Sequence, residues 1–176
     1  LSQLPLGVVG VAIGVVLLPD ITRQLRSPTP ETALHTQNRA LEFSMALTLP
    51  ATVALMVIPV EIVRVLFERG AFDAADSLAT GAAVAAYAAG LPAFVAIKVF
   101  QPGYFAREDT RTPTLYAGIS MVANVVLALA LFPALAHVGI ALATSLSSWI
   151  NAGLLAAGLM RKGRVVPDRL LLKRLP

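Results

Sequence analysis

Apolar positions run through this chain in long stretches broken by short polar segments. From Thr112 to Met160 there are 49 consecutive residues without Asp, Glu, Lys or Arg. A helix crosses a bilayer core with about 20 apolar residues, so this run reads as two crossings and a turn. The turn lies at 132–139, Phe-Pro-Ala-Leu-Ala-His-Val-Gly. Read the same way, the chain has five crossings, at about 4–25, 40–67, 75–100, 112–132 and 138–160. None alternates with period two, and all exceed the length of a barrel strand. Since only helices or closed barrels satisfy the backbone in hydrocarbon, the expected fold is all-α and polytopic. Pro50, Pro59 and Pro92 fall within crossings, where proline frees a carbonyl and favours a kink.

Charge orients these crossings. The segments 20–39, 98–111 and 161–174 hold twelve basic residues: Arg23, Arg26, Arg39, Lys98, Arg107, Arg111, Arg161, Lys162, Arg164, Arg169, Lys173 and Arg174. The segments between them on the opposite side, 61–76 and 133–139, hold two, Arg64 and Arg69. An excess alternating with each crossing marks the basic side as cytoplasmic, and the C-terminus with it. The net charge of +4 is spread over the ends of apolar runs rather than gathered on one soluble module, which excludes a nucleic-acid partner. Leu1 lies inside an apolar run with no basic leader and no small-residue cleavage site. That start reads as the edge of a fragment rather than a signal peptide. Arg169-Leu170-Leu171-Leu172-Lys173-Arg174 reads as the opening of a further helix.

Composition agrees: 57% of residues are hydrophobic and 14% charged, with 12 glycines and no cysteine. Disulfides and thiolate chemistry are thereby excluded, and two distant histidines give no metal-site spacing. No Ser/His/Asp set lies at a common depth. The close acidic pairs, Asp73/Asp76 and Glu108/Asp109, read as loop or helix-end residues. Asp73 and Asp76 suit the N-terminus of the third crossing. No glycine-rich phosphate loop is present, so no nucleotide cofactor is expected and any driving force is an ion gradient or the membrane potential. Gly7, Gly10 and Gly14 share a helix face. They suit close helix packing, or movement of one helix past another. Pro92 is a hinge candidate on similar grounds. Ser120, Asn124, Ser145, Ser147, Ser148 and Asn151 are positioned to bond between helices. Lys98 sits at the inner end of the third crossing, able to snorkel to the headgroups or to meet a lipid phosphate. Glu61 and Arg64, one turn apart, are expected to pair.

Four strings then resemble the MurJ/MviN family of lipid II flippases. They are Leu4-Pro5-Leu6-Gly7-Val8-Val9-Gly10-Val11-Ala12 with Leu18-Pro19 and Arg23; Leu66-Phe67-Glu68-Arg69-Gly70-Ala71-Phe72-Asp73-Ala74-Ala75-Asp76; Tyr87-Ala88-Ala89-Gly90-Leu91-Pro92 with Lys98 through Pro113; and Gly139-Ile140-Ala141-Leu142-Ala143-Thr144-Ser145. The set spans nearly the whole chain. The resemblance implies an exporter fold of two six-helix lobes around a cavity. Residues 1–162 would be the eighth to twelfth helices, a partial second lobe. Residues 163–176 would be a cytoplasmic linker and the start of the next helix. It also implies a bacterial inner-membrane location and lipid II, the undecaprenyl-pyrophosphate-linked precursor of peptidoglycan, as the molecule moved. The family's important arginines lie outside the matched stretch, which leaves Gln3 as the residue placed near the cavity. The competing functions are a related polysaccharide or drug exporter, a membrane-embedded cell-wall enzyme and a non-transporting scaffold. The Lys98–Pro113 stretch speaks against the first, and the lack of metal-binding carboxylate pairs against the second.

Overall fold

A computed structural model describes residues 31–68 and 73–161, and every regular element within them is a helix. The predicted crossing at 4–25 and the tail 163–176 lie outside the described residues, as do Gln3, Gly7, Gly10 and Gly14. In chain order the helices are α1 (Glu31–Val57), α2 (Pro59–Phe67), α3 (Ala74–Ala88), α4 (Leu91–Phe105) and α5 (Arg111–Arg161). Thr36–Val57, Ala74–Phe105 and Arg111–Arg161 are long and apolar enough to cross a membrane.

Pro59 and Pro92 each open a helix, and Pro50 lies inside one. Pro59 ends α1. Ile58 leaves helical geometry at φ −124 and ψ 45, and the chain restarts with Pro59 in the first turn of α2. Pro92 occupies the first turn of α4, so the stretch predicted as one crossing over 75–100 is two helices meeting at Ala89-Gly90. Pro50 is accommodated inside α1.

α5 folds back on itself. Ala136 has φ 46 and ψ −126, which divides the helix into arms at 111–135 and 137–161. Asn124 and Thr144 lie 20 positions apart with side chains 3.5 Å from one another. In a straight helix they would be about 30 Å apart. The arms are therefore antiparallel, and the turn falls inside the predicted segment.

α1 packs against its neighbours from Gln37 on. Gln37 is buried and its Nε2 donates to the carbonyl oxygen of Val99 in α4 at 3.2 Å. The helix itself begins at Glu31, nine residues ahead of the predicted start at 40, and this contact ties it to α4. Beyond it, α1 turns a buried stripe inward that includes Ser44, Thr48, Thr52 and Leu55, and exposes Phe43, Leu47, Val53 and Val57. Apolar outside with polar inside is the pattern of a helix that meets lipid, the reverse of a soluble one. The first arm of α5 does the same with Leu115, Ile119, Val122, Val126 and Leu129.

The core lies between α4 and the second arm of α5. Ala93, Ala96, Ile97, Phe100 and Tyr104 pack against Ala152, Leu155 and Leu159, with Leu41 and Met45 of α1 closing one side. Eleven of the 15 residues of α4 are buried, which makes it the central helix of the described bundle.

Candidate functional site

Two features stand out once the apolar packing is set aside. The first is the break between α3 and α4. Gly90 N–H donates three residues back to Tyr87, at 3.0 Å, instead of four back to Ala86. The carbonyl oxygen of Ala86 is then served by the Ser145 hydroxyl at 2.6 Å. The next freed region is served by Trp149, whose Nε1–H donates to Ala89 O at 2.9 Å. Both donors come from the second arm of α5. Gly90 permits that approach: a Cβ there would stand 2.7 Å from Ser145 Oγ and 2.9 Å from its Cα. A broken helix within a membrane persists where neighbours re-satisfy its backbone, and here two side chains one turn apart do so. Pro92, the hinge candidate, is buried immediately after this break.

The second feature is the basic end. Gln37 reaches Val99, and the Tyr104 hydroxyl donates to Leu155 O at 2.8 Å. Gly158 faces the hydroxyls of both Tyr104 and Tyr116, so closely that a Cβ would collide with Tyr104 Oη. These contacts bring the start of α1, the end of α4 and both ends of α5 to one side, together with Arg39, Lys98, Arg107, Arg111 and Arg161. Arg107 donates to Gly103 O at 2.5 Å. Lys98 is exposed, on a helix whose other faces are covered. An open groove of about 1030 Å³ runs from Arg111 along Leu115, Ile119 and Val122.

The connection at this end is tight. Glu108 has φ 60, its N–H donates to Phe105 O, and Asp109 N–H donates to Tyr104 O, which is a Schellman closure with glutamate at the left-handed position. The Asp109 carboxylate then accepts from Thr112 N–H at 3.1 Å and from its hydroxyl at 3.0 Å, starting α5.

At the opposite end, Asp73 accepts from Ala75 N–H and Asp76 N–H, and Asp76 returns the bond to Asp73 N–H, a full capping box for α3. This is the helix-end role expected for the pair. The expected pairing of Glu61 with Arg64 does not occur. Arg64 Nε instead meets Glu68 at 3.1 Å. Glu68 is already held by the Ser77 hydroxyl at 2.9 Å, so less side-chain freedom is lost in pairing with it than with Glu61.

Of the six polar residues expected to bond between helices, Ser145 reaches α3 and Asn124 reaches across the α5 hairpin. Ser120, Ser147 and Ser148 turn back onto carbonyls of their own helix, and Asn151 Oδ1 is buried without a partner among the described residues. Trp149, Gln37 and Tyr104 were not singled out by sequence reading. Their signal, a polar tip on a body near a helix end or break, is weak in sequence. No group of three His, Asp or Glu converges among the described residues.

The architecture, apolar outside and polar at its breaks and basic end, has close counterparts among known proteins. The family described as "Lipid II flippase MurJ" matches residues 1–175. The chain belongs to the MurJ family. The probable lipid II flippase MurJ of Rhizobium meliloti (strain 1021) is 53% identical over 99% of this chain and 32% of its own length. That of Rickettsia prowazekii (strain Madrid E) is 36% identical over 87% of this chain and 30% of its own length. A solved structure titled "Lipid II flippase MurJ, inward closed conformation" superposes with a TM-score of 0.83 at 28% identity, over 98% of this chain and 35% of that one. The chain thus spans about a third of the length of the MurJ relatives it matches. The all-α polytopic fold expected from the apolar runs is the fold of that MurJ structure.

Proposed function

We propose that this chain forms most of one lobe of a flippase that moves lipid II from the inner to the outer leaflet for peptidoglycan synthesis. The observation that carries the reading is the MurJ family match over residues 1–175, with relatives named as lipid II flippases at up to 53% identity. The physical problem is one of charge. A pyrophosphate and a sugar-peptide head cannot enter hydrocarbon bare, because burying an unpaired charge costs several kcal/mol or more. A polar cavity between two lobes shelters the head while the polyprenyl tail stays in the lipid. Rocking of the lobes then exposes the cavity to each side in turn. No bond is made or broken, so no catalytic residue and no cofactor are required. The drive is a coupled ion or the membrane potential.

The basic end described above is the cytoplasmic one in this reading, and the membrane is the bacterial inner membrane. Gln3 stays the cavity candidate and Gly7, Gly10 and Gly14 the packing candidates, all of them outside the described residues. The test is complementation. The full-length protein that carries this chain is expressed in cells depleted of their own flippase, and lipid II at the outer leaflet is assayed. Restored export is expected. Residues 1–176 alone are expected to insert without restoring it, since alternating access needs a second repeat to move against.

A further inference from the structure

Among the described residues, α4 is covered on every face but one. Its uncovered stripe is Phe94, Lys98, Gln101 and Phe105, spaced four, three and four residues apart on one side of the helix. Lys98 and Phe105 are exposed, and Phe94 and Gln101 are half-buried. Away from its basic end, where Arg39 is exposed, α1 exposes apolar side chains, Phe43 and Leu47 among them. A stripe carrying a cation and an amide is ill-suited to lipid tails.

Depth sharpens the point. The 32 residues of Ala74–Phe105 rise about 48 Å at helical pitch, against about 30 Å of hydrocarbon. Centred in the bilayer, the span has its midpoint at the Ala89-Gly90 break. Lys98 then lies about 13 Å from the midplane, close to the hydrocarbon edge at about 15 Å. Its ammonium therefore reaches the level of the inner-leaflet phosphates from this stripe.

We propose that Lys98, with Gln101 one turn on, is the inner-leaflet contact for the pyrophosphate of the lipid-linked substrate. The proposal rests on the flippase reading and adds a residue to it. A lysine suits a transient contact. It is a compact cation with three rotatable donors, and it stays well hydrated when the anion leaves, whereas an arginine fork holds phosphate in fixed geometry. The Gln101 amide adds a donor on the same stripe. Charge complementarity selects the occupant: an anionic diphosphate on a lipid, presented at the depth of the ammonium.

The experiment uses the full-length protein in nanodiscs, with Lys98→Gln, Lys98→Arg and Gln101→Leu, and undecaprenyl pyrophosphate, undecaprenol and phosphatidylglycerol as probes. Lys98→Gln should weaken undecaprenyl pyrophosphate binding at least about tenfold, the scale of one lost charge-assisted hydrogen bond. Lys98→Arg should stay within about twofold, because the charge is kept. Gln101→Leu should weaken it less than Lys98→Gln, and neutral undecaprenol should bind all variants alike. Unchanged pyrophosphate binding by a well-folded Lys98→Gln overturns the proposal. So does an equal loss for phosphatidylglycerol, which would make Lys98 a general headgroup anchor. A wild-type protein with no affinity for undecaprenyl pyrophosphate would instead strike at the flippase reading beneath it.

Discussion

Trp149 Nε1–H donates to the carbonyl oxygen of Ala89 at 2.9 Å, across 60 positions of chain. With Ser145 on Ala86, one turn away on each helix, it forms a two-point latch between the second arm of α5 and the α3–α4 break. The break exists because Pro92 cannot donate and Gly90 turns its N–H back to Tyr87. The latch supplies donors to the Ala86 and Ala89 carbonyl oxygens at this break, as a helix interrupted within a membrane requires.

Removing the latch should loosen this junction. Ser145→Ala leaves the buried Ala86 oxygen unserved, and Trp149→Phe does the same for Ala89. Interhelical hydrogen bonds in membranes contribute about 0.6 kcal/mol on average and under about 2 at most. Each single variant should lower stability on that scale. The pair should show coupling, since both act on one break. Thermal unfolding of the full-length protein in detergent measures it, and strictly wild-type stability in the double variant would mean the break is held by packing alone.

Thr48 and Thr52 are buried in α1 with hydroxyls that find no partner among the described residues. An unpartnered buried hydroxyl is costly, and valine fills the same shape without it. Thr48→Val and Thr52→Val are expected to be neutral or stabilising by about 1 kcal/mol. If either lowers stability clearly, its hydroxyl is served by a partner beyond the described residues.

Glu108 occupies the left-handed region at φ 60, where a side chain crowds the following carbonyl. Glu108→Gly keeps the Schellman closure and removes that crowding. It should stabilise by about 0.5–1 kcal/mol after the added chain entropy of glycine is counted. Glu108→Val should do the opposite, by more. Unfolding midpoints of the two variants settle the sign.

The orientation is tested separately. The chain contains no cysteine, so single cysteines at Arg107, Gly163, Asp73 and Ala136 report accessibility in a cysteine-free full-length background. An impermeant thiol reagent added to intact cells should label positions 73 and 136 and spare 107 and 163. Labelling of 107 from outside would reverse the assignment.

Much of this architecture is readable from the chain. A charge-free run of 49 residues with a Pro-containing centre announces the α5 hairpin, and Ala136 turns within the predicted segment. Pro59 and Pro92 mark the two other breaks. Asp73 and Asp76 carry their cap in their spacing. What stays hidden is whatever depends on a distant partner. Nothing local says that Ser145 reaches Ala86 while Ser147 and Ser148 bond back to Thr144. That is decided by which face of α5 meets α3. Gln37 reads as an aqueous residue until α4 supplies Val99. Arg64 had two carboxylates within reach, and Ser77 on a later helix decides between them. Lys98 is legible as a cation near a helix end. The stripe left uncovered among the described residues, on which it stands, is a property of the packing.

The central claim is that the protein carrying this chain moves lipid II across the membrane. The most direct measurement is reconstitution of the purified full-length protein into vesicles with lipid II in both leaflets, followed by an impermeant reagent that modifies only the outer headgroups. An active flippase brings inner-leaflet lipid II to the reagent, so modification should proceed past the half present outside toward completion, in a protein-dependent way. Modification that stops at the outer-leaflet fraction, with correctly folded protein and an imposed ion gradient and membrane potential, would contradict the account.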